Sequence, residues 1–352
     1  MTTIPYLGLG FHTDVVGGVD THLDTHTAAV LDMAGLLLAH QQFPASTSGY
    51  CGLLNWLRTF GDVSVVGVEG TGAYGAGLAR YLASQDVPVV EVDRPDRKAR
   101  RATGKSDPLD AESAARAALG RVRTGLPKDR SGRVEALRNL RVARRSAVAQ
   151  RADCVRRIKC LLVTSPDKTR AQLAPLHDKS LLATCAALRP DTARVGDPEQ
   201  AVKVALRSLA RRHRSLSEEI DELDTLIAPL IAAINPGLLE LNGVGADVAG
   251  QLLVTAGENH ERLHSEAAFA MLCGVAPIPA SSGKTHRHRL NRGGDRQANA
   301  ALHRIVICRL RWDQRTQHYM QRRTKEGLSK KDIIRCLKRL IAREIYSVLR
   351  TT

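Results

Sequence analysis

The sequence predicts an α/β amino-terminal domain followed by an all-α remainder, on three observations. β-branched runs alternate with helical stripes over residues 1–125 and then stop. A heptad seam runs from Val202 to Leu230. Beyond Pro236 the pattern stays helical and becomes strongly basic.

Val15–Asp20 reads as the first strand. Thr27–Asp32 and Leu36–Gln42 flank Met-Ala-Gly and read as a hairpin. Ser48–Phe60 has helical spacing through Leu53, Leu54 and Leu57. Val63–Glu69 and Val87–Val92 are short, β-branched and suited to buried strands, and Gly75–Gln85 between them carries a Leu78–Tyr81–Leu82 stripe. Asp110–Leu119 is alanine-rich and helical. An antiparallel meander followed by right-handed crossovers makes a mixed sheet with helices on its faces.

In the centre, Val202, Leu206, Leu209, His213, Leu216, Ile220, Leu223, Ile227 and Leu230 follow alternating steps of four and three. Pro229 falls where it is expected to kink or end that helix. The arginine-rich stretch 133–162 is its expected antiparallel or intermolecular partner, joined through residues 163–200 with their four prolines. The expected division is 1–125, 126–235 and 236–352.

Of 352 residues, 52 are Lys or Arg and 36 are Asp or Glu, a net charge of +16. Residues 1–93 hold two cations against nine acids, and residues 94–352 hold 50 against 27. An acidic head thus precedes a strongly basic body, whose simplest partner is nucleic acid. An apolar content of 43% excludes global disorder. No apolar run is long enough for a membrane span, and no secretory signal is expected at the amino terminus. Seven scattered cysteines without a Cys-x-x-Cys pair point to a reducing cytosol and away from disulfides or structural zinc.

Three constellations carry chemistry. Asp20 and Glu69 end strands, and Asp107 and Asp110 start a helix in Ser-Asp-Pro-Leu-Asp. Carboxylates at strand ends converge at one sheet edge, and four together repel one another unless a cation joins them. Hard oxygen donors suit Mg²⁺ or Mn²⁺, and a two-metal pair would sit roughly 4 Å apart. Asp24 and Glu112 read as solvated charges. The second constellation, Asn242-Gly-Val-Gly-Ala-Asp, has a helix expected on each side, the pattern of a helix-hairpin-helix. Amides at Gly243 and Gly245 would hold a DNA phosphate there; a plain turn is the competing reading. The third is Ser281-Ser-Gly-Lys-Thr-His-Arg-His-Arg, where a serine sits among Lys284, Arg287, Arg289 and Arg292. A serine beside phosphate-binding cations can attack a phosphodiester, given a metal or base. Arg100, Arg101 and Lys105, just before the aspartate pair, join the nucleic-acid-binding set. Gly283-Lys284-Thr285 lacks the upstream glycine of a P-loop, and His286, His288 and Cys273 lack a fourth zinc ligand.

Together these residues resemble the DEDD transposases of the insertion sequence 110 group, related to Piv-type DNA invertases. The likeness rests on Gly18-Val-Asp-Thr-His, Val68-Glu-Gly-Thr-Gly-Ala-Tyr-Gly, Lys105-Ser-Asp-Pro-Leu-Asp-Ala, Cys273-Gly-Val-Ala-Pro-Ile-Pro-Ala-Ser-Ser-Gly and Asn291-Arg-Gly-Gly-Asp-Arg-Gln-Ala-Asn. It implies an amino-terminal RuvC-like ribonuclease H fold in which Asp20, Glu69, Asp107 and Asp110 are catalytic metal ligands. It further implies a central coiled coil and a carboxy-terminal transposase domain with Ser282 as nucleophile, Ser281 being the neighbouring alternative. The resemblance extends to donor and target DNA, an element-encoded guide RNA, a homodimer or homotetramer that assembles the two half-sites, and a bacterial, nucleoid-associated cytoplasmic location. Met1–Thr13 is a departure, since the family starts nearer its first strand, and Leu23 stands where relatives often carry lysine.

Three functions follow in order of expectation. The first is a recombinase working through a covalent phosphoserine. The second is a Holliday-junction-type nuclease using water. The third is a non-catalytic nucleic-acid-binding scaffold.

Overall fold

The computed structural model describes residues 13–92, 106–122, 124–284 and 288–351. Its one large sheet comprises β1 (Asp14–Thr21), β2 (Thr25–Asp32), β3 (Leu37–Pro44), β4 (Asp62–Glu69), β5 (Val89–Val92) and β6 (Thr124–Gly125), in the order β3-β2-β1-β4-β5-β6. β1 pairs antiparallel with β2 and parallel with β4, which pairs parallel with β5. The mixed sheet expected from the sequence is therefore present, with β6 added at its edge. The two-residue β6 carries no periodic signal, so only tertiary pairing reveals it.

Helix α1 (Thr47–Arg58) begins where the Ser46 side chain accepts from the Gly49 N–H. With α2 (Ala76–Ser84) it covers one sheet face, burying Leu53, Leu54, Leu57, Leu78 and Leu82 against Val15, Val19, Val66 and Val68. The opposite face of β1 and β4 carries Gly18 and Gly67. Against them lies α3 (Asp107–Gly120), whose buried stripe of Ala111, Ala114, Ala115 and Ala118 has no side chain larger than a methyl. A Cβ at Gly18 would stand 2.1 Å from the Ala115 nitrogen and 2.3 Å from the Ala111 oxygen. At Gly67 it would stand 2.6 Å from the Ala114 oxygen. Helix and sheet touch backbone to backbone.

The chain divides into two compact units. Met1–Ser131 with Gly257–His264 form the first, and Gly132–Ala256 with Ser265–Thr352 the second. Asn259 fastens the returning segment within the first unit: its Oδ1 accepts from the Asp129 N–H at 3.1 Å and its Nδ2 donates to the Pro127 oxygen at 2.9 Å.

In the second unit, α4 (Arg133–Val163) packs along α7 (Pro198–Ile234). Arg144 meets Asp224 and Arg151 meets Ser217, so the two helices run antiparallel. The arginine-rich stretch is thus an intramolecular partner. Asp197 caps α7 and Pro198 opens it. Of the predicted seam, Leu206, Leu216, Ile220 and Ile227 are buried, joined by Ala210 and Ile231. His213 is only half-buried on the seam. Pro229 lies inside the helix, which continues to Ile234 rather than ending there. Short helices α5 (Asp167–Leu173) and α6 (Asp178–Ala187) fill the connection and bury Leu173, Leu181 and Cys185 against Ile158 and Leu206.

Next come α8 (Gly237–Glu240), α9 (Ala246–Ala256), α10 (Glu266–Leu272), α11 (Arg296–Trp312), α12 (Gln314–Lys325) and α13 (Lys330–Leu349). A two-stranded hairpin, β7 (Ile278–Pro279) with β8 (His288–Arg289), interrupts the helices. The sequence pattern did not call for it, because each strand is only two residues long.

The glycine contact yields a prediction. Gly18→Ala should destabilise the protein by about 3 kcal/mol, since the added methyl collides with backbone that cannot rotate away. Gly125→Ala, where a Cβ meets nothing within 4 Å, should be near neutral. Thermal or urea unfolding of the two variants checks the contrast.

Candidate active site and nucleic-acid interface

Alternation along a strand decides what the sheet presents beside α3. Gly18 and Gly67 face that helix, so Asp20 and Glu69, two residues further on, lie on the same face at adjacent strand ends. The Thr21 hydroxyl donates to the Glu69 carbonyl oxygen at 2.8 Å and ties those ends together. Ser106 occupies the cap position of α3, and Pro108 stands in its first turn with Asp107 and Asp110. The four predicted carboxylates therefore gather where two strands end and one helix begins.

Asp20 is 7% exposed and Asp110 is 6% exposed. Burial pushes the Asp20 carboxyl above its usual range; His22 opposes this, while Asp110 and Asp107 reinforce it. His22 was not singled out by sequence reasoning. Its Nε2 lies 3.1 Å from Asp20 Oδ2 and 3.3 Å from Asp107 Oδ1. Asp20, His22 and Asp107 hold donor atoms within 4.8 Å of one another, the one such trio among the described residues. Glu69 and Asp110 stand outside that trio. A signal for His22 was present: Asp-Thr-His at spacing i, i+2 on extended backbone points both side chains the same way. A buried carboxylate with two further carboxylates beside it forms a donor set that a divalent cation would relieve. Asp24 is exposed, and Glu112 pairs with Arg116 at 2.6 Å, as ordinary surface charges do.

In the second unit, Ser281, Ser282, Gly283 and Lys284 are all exposed in the loop of the β7–β8 hairpin. Gly283 has φ +53°, a left-handed conformation that suits glycine. A cavity of about 710 Å³ lies beside this hairpin, lined among others by Arg289, Arg292, Arg296, Asn299, Arg335 and Lys338. Lys338 Nζ donates to Asn299 Oδ1 at 2.8 Å, and Asn299 Nδ2 donates to the Gly274 carbonyl at 2.8 Å. Burial and the neighbouring Arg335 pull the Lys338 ammonium below its usual value. Two acids also line the cavity. Asp295 caps α11 and accepts from Thr255, and Asp332 pairs with Arg335.

The Asn242–Ala246 segment is followed by α9 as expected, but the helix before it, α8, is a single turn. Gly243 has φ +77°, and Arg309 donates to the Asn242 carbonyl at 2.7 Å. A Cβ at Gly245 would meet nothing within 4 Å. The first turn of α9 carries Asp247, which is held by Arg141 and Arg304 and has its carboxyl kept low by them. Of the remaining predicted contacts, Arg100, Arg101, Lys105 and Arg287 lie outside the described residues.

Comparison with known proteins bears on both units. A model of the DEDD transposases of the IS110 type, described as transposase, matches residues 17–165. A second, described as the transposase IS116/IS110/IS902 family, matches residues 236–321. A search of curated proteins gave no match. The first match spans the acidic corner and the second spans the serine hairpin. No helix among the described residues is long and apolar enough to cross a membrane. The DEDD type implies use of a divalent metal ion, for which Asp20, His22 and Asp107 form a candidate site. With both models of one group matched in order along it, the chain belongs to the IS110 family of transposases, enzymes that act on DNA.

Proposed function

We propose that this transposase cuts and rejoins the DNA strands of an insertion sequence through a serine nucleophile and a bound divalent cation, Mg²⁺ or Mn²⁺. The observation that carries the reading is the convergence of Asp20, Glu69, Asp107 and Asp110 at one corner of the sheet. The sheet order and the α3 packing support a RuvC-like ribonuclease H domain over residues 1–125. The paired long helices support a coiled coil within 126–235, and the hairpin belongs to a transposase domain over 236–352.

In this reading the four carboxylates hold the cation, which when bound offsets charge on the reacting phosphate. Ser282 Oγ attacks a DNA phosphorus. The Oγ–P bond forms as one P–O bond to deoxyribose breaks, and the serine proton passes to a carboxylate or to water. The departing sugar oxygen takes up a proton. A hydroxyl from another strand end then attacks the phosphoserine, which restores the strand and the serine. No phosphodiester is lost to hydrolysis. Lys284, Arg289 and Arg292, with Gly243 and Gly245, contact the nucleic-acid backbone. The acids fall in the first compact unit and the serine in the second; a homodimer or homotetramer that completes the site is what the family reading adds. The basic body is compatible with an element-encoded guide RNA beside donor and target DNA, and with association with the nucleoid.

Four measurements test this reading. With DNA carrying the element ends, denaturing gels should reveal a protein–DNA adduct that Ser282→Ala abolishes and Ser281→Ala retains. The reverse pattern would make Ser281 the nucleophile, and cleavage without any adduct would make water the nucleophile. Full recombination by Asp20→Asn or Glu69→Gln would leave only a binding scaffold.

Neutralising Lys284, Arg289 and Arg292 together should weaken binding to DNA of any sequence. It should also flatten the slope of log affinity against log salt by about 3. An unchanged slope would remove them from the phosphate contacts.

Asp20 supplies a stability test. Its folded carboxyl titrates above the unfolded one, so in metal-free protein the ionised group costs stability at neutral pH, and the cost vanishes as pH falls below the ordinary carboxylate range. Metal-free Asp20→Asn should therefore melt higher than the parent at pH 7, with the gap closing below about pH 4. Added Mn²⁺ should raise the parent's Tm and leave that of the variant unchanged.

A further inference from the structure

His22 deserves a role of its own in the acidic corner. β1 ends at Thr21, and His22 follows with its ring turned to the carboxylates. Its Nε2 lies within 3.3 Å of oxygens from two different elements, Asp20 at the end of β1 and Asp107 at the start of α3. An imidazole N–H shared between the two oxygens is weakly directed at either one, so the arrangement serves a ligand nitrogen at least as well as a hydrogen-bond donor. A neutral ring turned the other way would aim a lone pair at two anions. A cation shared among the three atoms would satisfy both approaches together. Adjacent ligands of an octahedral ion with bonds of about 2.1 Å stand about 3 Å apart, close to the two separations found here. The side chain is also 42% exposed, so the corner is open to solvent beside His22 and an ion can enter there.

We infer that His22 is a nitrogen ligand of the divalent cation, acting with Asp20 and Asp107, and that it biases the site toward Mn²⁺ over Mg²⁺. This rests on the metal-binding reading above. The bias follows from donor chemistry: imidazole favours first-row transition ions, whereas Mg²⁺ prefers oxygen and keeps its waters.

The test uses the full chain, stripped of metal and loaded with Mn²⁺ alone, read by pulsed electron paramagnetic resonance. The parent should show ¹⁴N modulation from a coordinated imidazole. His22→Ala and His22→Gln should lose it while keeping the parent's circular dichroism. Both should bind Mn²⁺ about 10-fold more weakly, with Mg²⁺ affinity changed far less. Bound Mn²⁺ without ¹⁴N coupling in the parent, or coupling that survives both substitutions, overturns the inference and leaves the metal reading standing. Absence of any Mn²⁺ binding by the parent overturns the metal reading and the inference together.

Discussion

The contact between an alanine stripe and two glycines governs the first unit. Ala111, Ala114, Ala115 and Ala118 of α3 lie on Gly18 of β1 and Gly67 of β4 with no side chain between them. Packing this close leaves nothing that can rearrange, because backbone atoms on both sides set the separation. The approach also fixes the register of the helix on the sheet. One turn before Ala111 the helix begins, and its first turn carries Asp107 and Asp110. Two residues beyond each glycine the strands present Asp20 and Glu69. The steric rule that brings helix and sheet together thus delivers four carboxylates to one corner. Charge alone would keep them apart; burial raises the Asp20 carboxyl, and Asp110 and Asp107 add to that rise.

Charge is organised differently in the second unit. Many of its cations are committed internally: Arg144 to Asp224, Arg141 and Arg304 to Asp247, Arg309 to Glu344, and Arg339 and Arg343 to Glu266. The last pair of arginines holds the Glu266 carboxyl down at about 2. Such pairs join α4, α7, α9, α10, α11 and α13, although each partly exposed pair contributes little by itself. The basic excess is therefore larger than the surface available to a polyanion. What remains around the cavity is more selective: Arg289, Arg292 and Arg296 have no carboxylate partner among the described residues, and Lys338 is held by the neutral Asn299. The wall acids of the cavity are already engaged, so the free sign there is positive.

Much of this was legible in the residues. The strand and helix order of the first unit follows from β-branched runs, the Leu78–Leu82 stripe and the alanine-rich segment, and the structure matches it to within a few residues. The seam of α7 was visible as period, yet Ala210 and Ile231 are buried on it while Leu209 and Leu223 are half-exposed, because α4 is a rigid partner with its own shape. Pro229, expected to kink or end the helix, does not end it; a proline that removes one hydrogen bond is tolerated where Ile227 and Ile231 on either side are buried. The helix expected before Gly243 is a single turn, since Asn235 and Pro236 interrupt the chain just ahead of it. The i, i+2 spacing of Asp20 and His22 is legible in the sequence, but the approach of Asp107 to the His22 ring comes only with the packing of α3.

By itself the sequence determined the local elements, the partition of charge and the identity of the acids, since these depend on neighbours in the chain and on side-chain chemistry. Tertiary structure alone decided that Gly18 and Gly67 face the same helix, that α4 returns along α7, that residues 257–264 belong with the first unit, and that His22 stands between two aspartates. Each joins residues far apart in the chain or depends on where a side chain turns. Steric fit and desolvation act on such distances in space, and no local pattern of residues encodes them.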